Sequence, residues 1–209
     1  MKAVYRSIKP YWLYCILIGK KTIEVGKTFP KADDWNKEVF LHCSKDMKSF
    51  KRIPEKDREW MRKYLGKCAC RFVCNRIDRI GKRGINNNFD YCYLSLNVFG
   101  NDDIEIEITD IKKSCISKSE LNAYGASSGC LYAWHISDLV IYDKPMEILE
   151  FIMPSKIGCC NEGKCRGCKY LDRGNGYNIE DDCNAKFSTD EFKPLRRPPQ
   201  SWCYVEDTE

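Results

Sequence analysis

The chain has 209 residues, of which 43% are hydrophobic, 12% aromatic and 31% charged. That balance excludes a disordered chain and allows one hydrophobic core with a small appended module. A formal net charge of +5 suits a polyanionic partner without requiring one. The segment YWLYCILIG, 11–19, is too short to span a bilayer. Lys20-Lys21 follows it where a secreted chain would carry a small-residue cleavage site. The expected location is therefore the cytoplasm, where fourteen cysteines should be reduced or metal-bound.

In chain order, AVYRSI (3–8) alternates as a strand, and Pro10 opens a helix. Trp12, Leu13, Ile16 and Leu17 share one face of that helix, and Gly19 ends it. KTIEV and EVFLHCS (38–44) read as strands, the second with Val39, Leu41 and Cys43 on one side. PEKDREWMRKYLG (54–66) is an amphipathic helix burying Trp60, Met61, Tyr64 and Leu65. CACRFVCNRI is a strand whose period of two puts Cys68, Cys70, Phe72 and Cys74 on one face, as core thiols. GKRGINNN (81–88) is a basic, turn-rich loop. Strands YCYLSLNVF and DIEIEI follow, then a helix through ELNAYG. CLYAWHISDLVIYD is the strongest strand signal, and SWCYV is a last short strand. Strands dominate and helices are short. The expected fold class is α+β, with a small curved barrel and peripheral helices.

Within GKKTIEVGKT, Gly26-Lys27-Thr28 matches the end of a phosphate-binding P-loop. Lys21 stands where that pattern needs glycine, and Phe29-Pro30 blocks the helix that must follow. The P-loop reading is rejected. After Pro154 aliphatic residues thin out and cysteines cluster as Cys159-Cys160-x4-Cys165-x2-Cys168-x14-Cys183. A C-x2-C turn brings two thiolates to one ion. Cys183 and Cys160, or Cys159 in its place, complete a tetrahedral structural Zn²⁺ site. Metal binding would supply the folding energy that this core-poor segment lacks. Iron–sulfur ligation uses similar spacings. The domain reading is a barrel domain over 1–152, a cysteine-rich module over 153–190, and a proline-rich tail over 191–209 whose final strand returns to the barrel.

SIKPYWLYCILIGKKTIEV resembles the opening of the ASCH family, within the PUA-like superfamily. GKCACRFVCNRI, LYAWHISDLVIYDKP and PPQSWCYVE look like its later strands in small ASCH proteins of phages and prophages. The resemblance covers about 3–152 and the extreme C-terminus. It implies a PUA-like curved β-barrel with a cleft beside the glycine-x-lysine turn, here Gly19-Lys20-Lys21. It also implies an RNA or modified-nucleoside ligand, bound or hydrolysed, in the cytoplasm of the host if the chain is phage-encoded. The family usually has arginine five residues after the motif lysine, and this chain has Gly26. Amide-hydrolysing relatives have threonine three residues after it, and this chain has Glu24.

From the residues, Lys9, Lys21, Glu24 and Lys27 are the ligand-binding candidates. Lys21 is read as a rim lysine leaning over the cleft and contributing little to the core. If the chain is an enzyme, Lys21 and Glu24 are the catalytic pair and Glu120 a weaker second carboxylate. The plainer alternative for Lys21 and Glu24 is a surface ion pair. Arg79, Lys82 and Arg83, followed by Tyr91 and Tyr93, combine cations with aromatics as RNA binding requires. His42 and His135 are read as satisfied strand residues. The leading function is RNA or nucleoside binding with structural zinc. The alternatives are a hydrolase in the same cleft and a phage module that binds a host protein.

Overall fold

A computed structural model describes residues 2–30, 35–85, 88–97, 112–126, 130–153 and 193–206, with the side chains of 81–97 and of residue 193 excepted. The strands are β1 (Lys2–Ile8), β2 (Ile23–Gly26), β3 (Glu38–Cys43), β4 (Cys68–Val73), β5 (Ile77–Ile85), β6 (Asn88–Asn97), β7 (Cys130–His135), β8 (Ser137–Met146), β9 (Ile152–Met153), β10 (Lys193–Pro194) and β11 (Trp202–Glu206). The helices are α1 (Pro10–Leu17), α2 (Met47–Phe50), α3 (Glu55–Arg62) and α4 (Lys118–Gly125). One sheet runs β11-β1-β3-β4-β8, another β2-β7-β5-β6, and β9 pairs with β10. The fold is mixed α+β, as the sequence pattern indicates. Among the described residues the two larger sheets do not join into one hydrogen-bonded ring, so a closed barrel is not shown there.

The chain passes between the sheets at two corners. Residues 74–76 carry it from β4 into β5, and Ile136 carries it from β7 into β8. The strongest strand signal in the sequence is therefore two strands in two sheets. Asp138 takes a left-handed backbone, φ 47°, and the Ile136 N–H donates to Thr22 O, so the break is built in.

The five-stranded sheet is covered on both faces. Val4, Ile8, Val39, Leu41 and Cys43 face a core shared with α1, Met61 and Trp134. Ala3, Tyr5 and Phe40 face a second core closed by Phe151 and Leu195. The four-stranded sheet divides likewise. Ile23, Val25, Ile80, Leu131 and Ala133 pack with Leu121 of α4, and Ile77 and Trp134 join the first core. Cys70, Phe72 and Cys74 lie in the first core. Cys68 does not share their side: a register shift between Cys68 and Cys70 turns it into the second. Burial pushes the Cys70 and Cys74 thiols up to about 12, which keeps them protonated. Trp60, expected inside, is 37% exposed at the outer side of α3, its ring against Tyr14 and Tyr64.

The expected basic loop at 81–88 is largely strand. β5 continues to Ile85 and β6 begins at Asn88, with Lys82 opposite Tyr91 and Arg83 opposite Asp90. The predicted DIEIEI strand and the cysteines at 159, 160, 165, 168 and 183 lie outside the described residues. No helix among the described residues is long and apolar enough to cross a membrane.

Candidate functional site

The glycine-x-lysine turn is built by a helix stop. Gly19 adopts φ 74°, its N–H donates to Ile16 O, and the Lys20 N–H reaches back to Cys15 O, both at 2.9 Å. This double bond pattern is the usual left-handed termination of a helix, and only glycine takes that backbone without strain. The Lys21 N–H also bonds to Cys15 O at 2.9 Å, which draws the next residue back towards the helix end.

Lys21 therefore points inward and is only 1% exposed, which corrects the rim position expected for it. Its ammonium donates to Ile23 O and Ser114 O, both at 2.7 Å, and lies 3.1 Å from Glu24 Oε2. The Trp12 ring lies beside it, at 5.6 Å. Those three acceptors take the three protons of the ammonium. A general base needs a lone pair facing a substrate, and this arrangement offers none.

Glu24 has a second partner that the sequence reading missed. Arg6, from the middle of β1, is 3% exposed and places Nη2 3.2 Å from Glu24 Oε1. The same nitrogen donates to Val25 O at 2.9 Å. β2 ends its sheet, and two of its carbonyls, at Ile23 and Val25, are thus taken by Lys21 and Arg6. Burial would raise the Glu24 carboxyl, but the Lys21 ammonium and the Arg6 guanidinium outweigh it and hold the group below its ordinary value. The cluster binds the two sheets together, because Arg6 belongs to one and Glu24 to the other. The signal for Arg6 was present in the sequence. It occupies an inward position between Val4 and Ile8, and a cation there must find a carboxylate.

Arg6 is only partly satisfied. Its Nε and Nη1 are buried without a hydrogen-bond partner, as are the indole nitrogens of Trp134 and Trp35. The guanidinium stacks 4.9 Å from the Trp134 ring, and the Trp35 and Trp134 rings are 6.1 Å apart. Gly26 lies directly against these donors. A Cβ at Gly26 would stand 3.0 Å from Arg6 Nη1, Arg6 Nη2 and Trp134 Nε1. A side chain at Gly26 would need these nitrogens to give by a few tenths of an ångström, which favours glycine there. Each buried donor without a partner costs about 1–3 kcal/mol.

The other candidates separate. Lys27 is exposed, with Nζ 5.0 Å from the Tyr124 ring of α4. Burial raises the Tyr124 phenol, while Arg6 pulls against that shift and Glu24 adds to it. Lys9 turns away and pairs with Asp46 at 3.5 Å. Glu120 is a capping residue. It accepts from the Ser117 N–H at 3.1 Å and the Ser117 hydroxyl at 2.9 Å, and pairs with Arg52 at 2.9 Å. That ties it to the start of α4, so it is no second carboxylate for Lys21. Arg79 is exposed on β5. The register sets Gly26 opposite Tyr132 and Tyr132 opposite Arg79, so Arg79 is two strands, about 10 Å, from Gly26. Burial raises the Tyr132 phenol and the Arg79 guanidinium pulls against it. Phe29 covers part of the Tyr132 ring, centroids 4.5 Å apart.

His135 Nε2 donates to Asp78 Oδ2 at 2.6 Å, and Arg76 donates to Oδ1 at 2.8 Å, so the carboxylate accepts from both. This closed cluster lies on the other face of the sheet from Glu24. His42 is buried with its Nδ1 unpartnered, so it is not the satisfied strand residue expected, and burial lowers it below the ordinary histidine value. Among the described residues no group of three or more histidines, cysteines or carboxylates could hold a metal.

No protein-family model matches the chain, and no curated protein matches it. A solved structure, that of ASCH from Zymomonas mobilis, is similar over 98% of this chain and 88% of that one. The identity is 12% and the TM-score 0.43, a likeness too distant to carry a residue or an activity across.

Proposed function

We propose that this chain binds single-stranded RNA, or a nucleoside phosphate derived from it, along the β2-β7-β5 face, and does not turn it over. The observation that carries the reading is the row Gly26–Tyr132–Arg79, which runs from the buried Arg6 guanidinium to an exposed cation. Half-buried Phe29 and Tyr132 lie along that row and offer aromatic surface for a base. Lys82 and Arg83 continue β5 beyond Arg79 and extend the basic track in sequence. The hydrolase reading is set aside because Lys21 is saturated by Ile23 O, Ser114 O and Glu24.

The test is binding of short RNAs as a function of salt. Neutralising Arg79, Lys82 and Arg83 together should weaken binding and reduce the salt slope by roughly one unit per lost phosphate contact. Unchanged affinity and slope in the triple variant would end the reading, and release of a cleaved product would restore the hydrolase. The cysteine segment is proposed to hold one structural zinc through Cys165, Cys168, Cys183 and either Cys159 or Cys160. Elemental analysis of protein purified without added zinc should find about one zinc per chain. Metal-free protein that melts as the metal-bound protein does would remove that site from the account.

A further inference from the structure

We infer that a single RNA strand is held by stacking across the seam between the two larger sheets, its bases on Tyr132 and Phe29 and then on Trp202 and Tyr204 of β11. The inference rests on the RNA reading and deepens it, because it carries the path off the four-stranded sheet and onto the five-stranded one. The geometry behind it is a row of rings. Tyr132 and Phe29 have centroids 4.5 Å apart. Phe29 follows Thr28, whose hydroxyl accepts from the Trp202 indole N–H at 2.8 Å. Trp202 and Tyr204 have centroids 5.3 Å apart. β2 and β11 are end strands of different sheets, so the bond from Trp202 to the loop that leaves β2 crosses from one sheet to the other.

Register places the rings on one side. Tyr132 stands two residues from Trp134 on β7, and both belong with the first core. On β11, Trp202 pairs with Arg6 and Tyr204 with Val4, whose side chain also faces the first core. The rings of Phe29, Tyr132, Trp202 and Tyr204 all pack against that core, yet each is partly exposed to solvent. They therefore form its rim. Neither pair is stacked face to face: the planes meet at 50° for Phe29 and Tyr132 and at 75° for Trp202 and Tyr204. Each pair thus leaves a flat surface that its partner does not cover. The Thr28 hydroxyl fixes the Trp202 ring before any base arrives, which lowers the ordering cost of binding.

Charge narrows the occupant. Arg79, exposed and opposite Tyr132, stands at one end of the row. At the other end Lys2 Nζ lies 5.8 Å from the Tyr204 ring. Glu206 is opposite Lys2 in register and partly answers its charge, so the stronger cationic end is at Arg79. Rings between cations suit a polyanion that carries planar groups, with phosphates near the cations and bases on the rings. Stacking uses the face of a base and not its edge, so the contact tolerates sequence. A duplex keeps its bases stacked on one another and has none to offer. An aliphatic rim would seal the core as well but give a base no ring to lie on.

The test compares Trp202→Leu and Tyr204→Leu, which remove a ring, with Trp202→Phe, which keeps one and is the variant to rely on if a leucine variant does not fold. The probes are octauridylate, octaadenylate and an RNA duplex, read by anisotropy of the labelled RNA and by quenching of tryptophan emission. Wild-type protein should bind both single strands with similar affinity and the duplex more weakly. Each leucine variant should bind the single strands about tenfold more weakly. Trp202→Phe should lose less affinity but part of the quench. Binding that falls when Arg79, Lys82 and Arg83 are neutralised, is unchanged in the leucine variants, and gives the same quench in Trp202→Phe as in wild type would keep the RNA reading and overturn this path. Tighter binding of the duplex would also overturn it. Losses in the leucine variants with no effect of the triple neutralisation would keep the path and remove the basic strand from the RNA reading. No binding of any RNA by wild-type protein would end both.

Discussion

Glu24 and Asp78 make an instructive pair. Both are buried carboxylates on the four-stranded sheet, both use two oxygens on two cationic groups, and they sit on opposite faces beside Trp134 and Ala133. At Asp78 the partners, Arg76 and His135, are both partly exposed to solvent. At Glu24 the partners, Arg6 and Lys21, are buried as deeply as the carboxylate. The same pairing therefore yields a solvated clasp on one face and a sealed cluster with spare donors on the other. What distinguishes the two clusters is how deeply the cations are buried, not the presence of an ion pair.

The largest effect should come from breaking the sealed cluster. Lys21→Ala removes the donor from Ile23 O and Ser114 O and leaves Glu24 with one partner. Removing one member of a buried ion pair costs about 3–5 kcal/mol. For a chain of this length each kcal/mol lowers the melting temperature by about 2–4 °C, so a fall of about 6–20 °C is expected. Asp78→Asn keeps both of its partners within reach of water and should cost less, about 1–3 kcal/mol. Thermal melts of the two variants decide the matter. A Lys21→Ala protein that melts like wild type but fails to bind RNA would reinstate the lysine at the cleft rim.

Acid should sharpen the comparison next. Burial alone would raise both carboxyls, yet Lys21 and Arg6 hold Glu24 below its ordinary 4.5, and His135 and Arg76 hold Asp78 below its ordinary 3.8. A carboxyl with a depressed folded value contributes stability that is fully present above the unfolded value. That stability is lost as pH falls through the folded one. Stability should thus be level from neutral pH to about 5 and decline below the ordinary carboxylate range. Glu24→Gln should flatten part of that decline and Asp78→Asn another part, as read from urea midpoints against pH. A decline with the same shape in Glu24→Gln would mean that the cluster does not carry the acid sensitivity.

The legible and illegible parts of this molecule divide along the same line. Short-range patterns transmitted well: Pro10 opening α1, Gly19 ending it, Cys70 and Cys74 as core thiols. Each depends on residues a turn or a pleat apart. The site depended on Arg6 and Glu24 meeting across eighteen positions and two sheets, and on Trp134 arriving from much further along the chain. Periodicity marks Arg6 as inward but says nothing of its partner. The corner at Ile136 was hidden because CLYAWHISDLVIYD carries no glycine or proline to mark the break, and one strand pattern covers two strands. Lys21 was misplaced because a turn lysine is ordinarily solvated. Only the bond from its own N–H back to Cys15 O shows that this turn curls inward.

The smallest effect should come from Lys27→Ala, and its smallness is informative. A P-loop would make this the essential lysine. Here it is an exposed cation 5.0 Å from the Tyr124 ring, an interaction worth about 0.5–1 kcal/mol at such a site. The melting temperature should move by about 1–3 °C. RNA affinity should fall modestly, with the salt slope lower by about one unit if Lys27 meets a phosphate. Gly26→Ala, one residue away, adds a single methyl and removes no charge, yet it should lower the melting temperature more, because that methyl stands 3.0 Å from the buried Arg6 and Trp134 nitrogens, which must give way. The two neighbours thus set a surface charge against a buried donor set. A large fall in melting temperature in Lys27→Ala with none in Gly26→Ala would overturn that contrast.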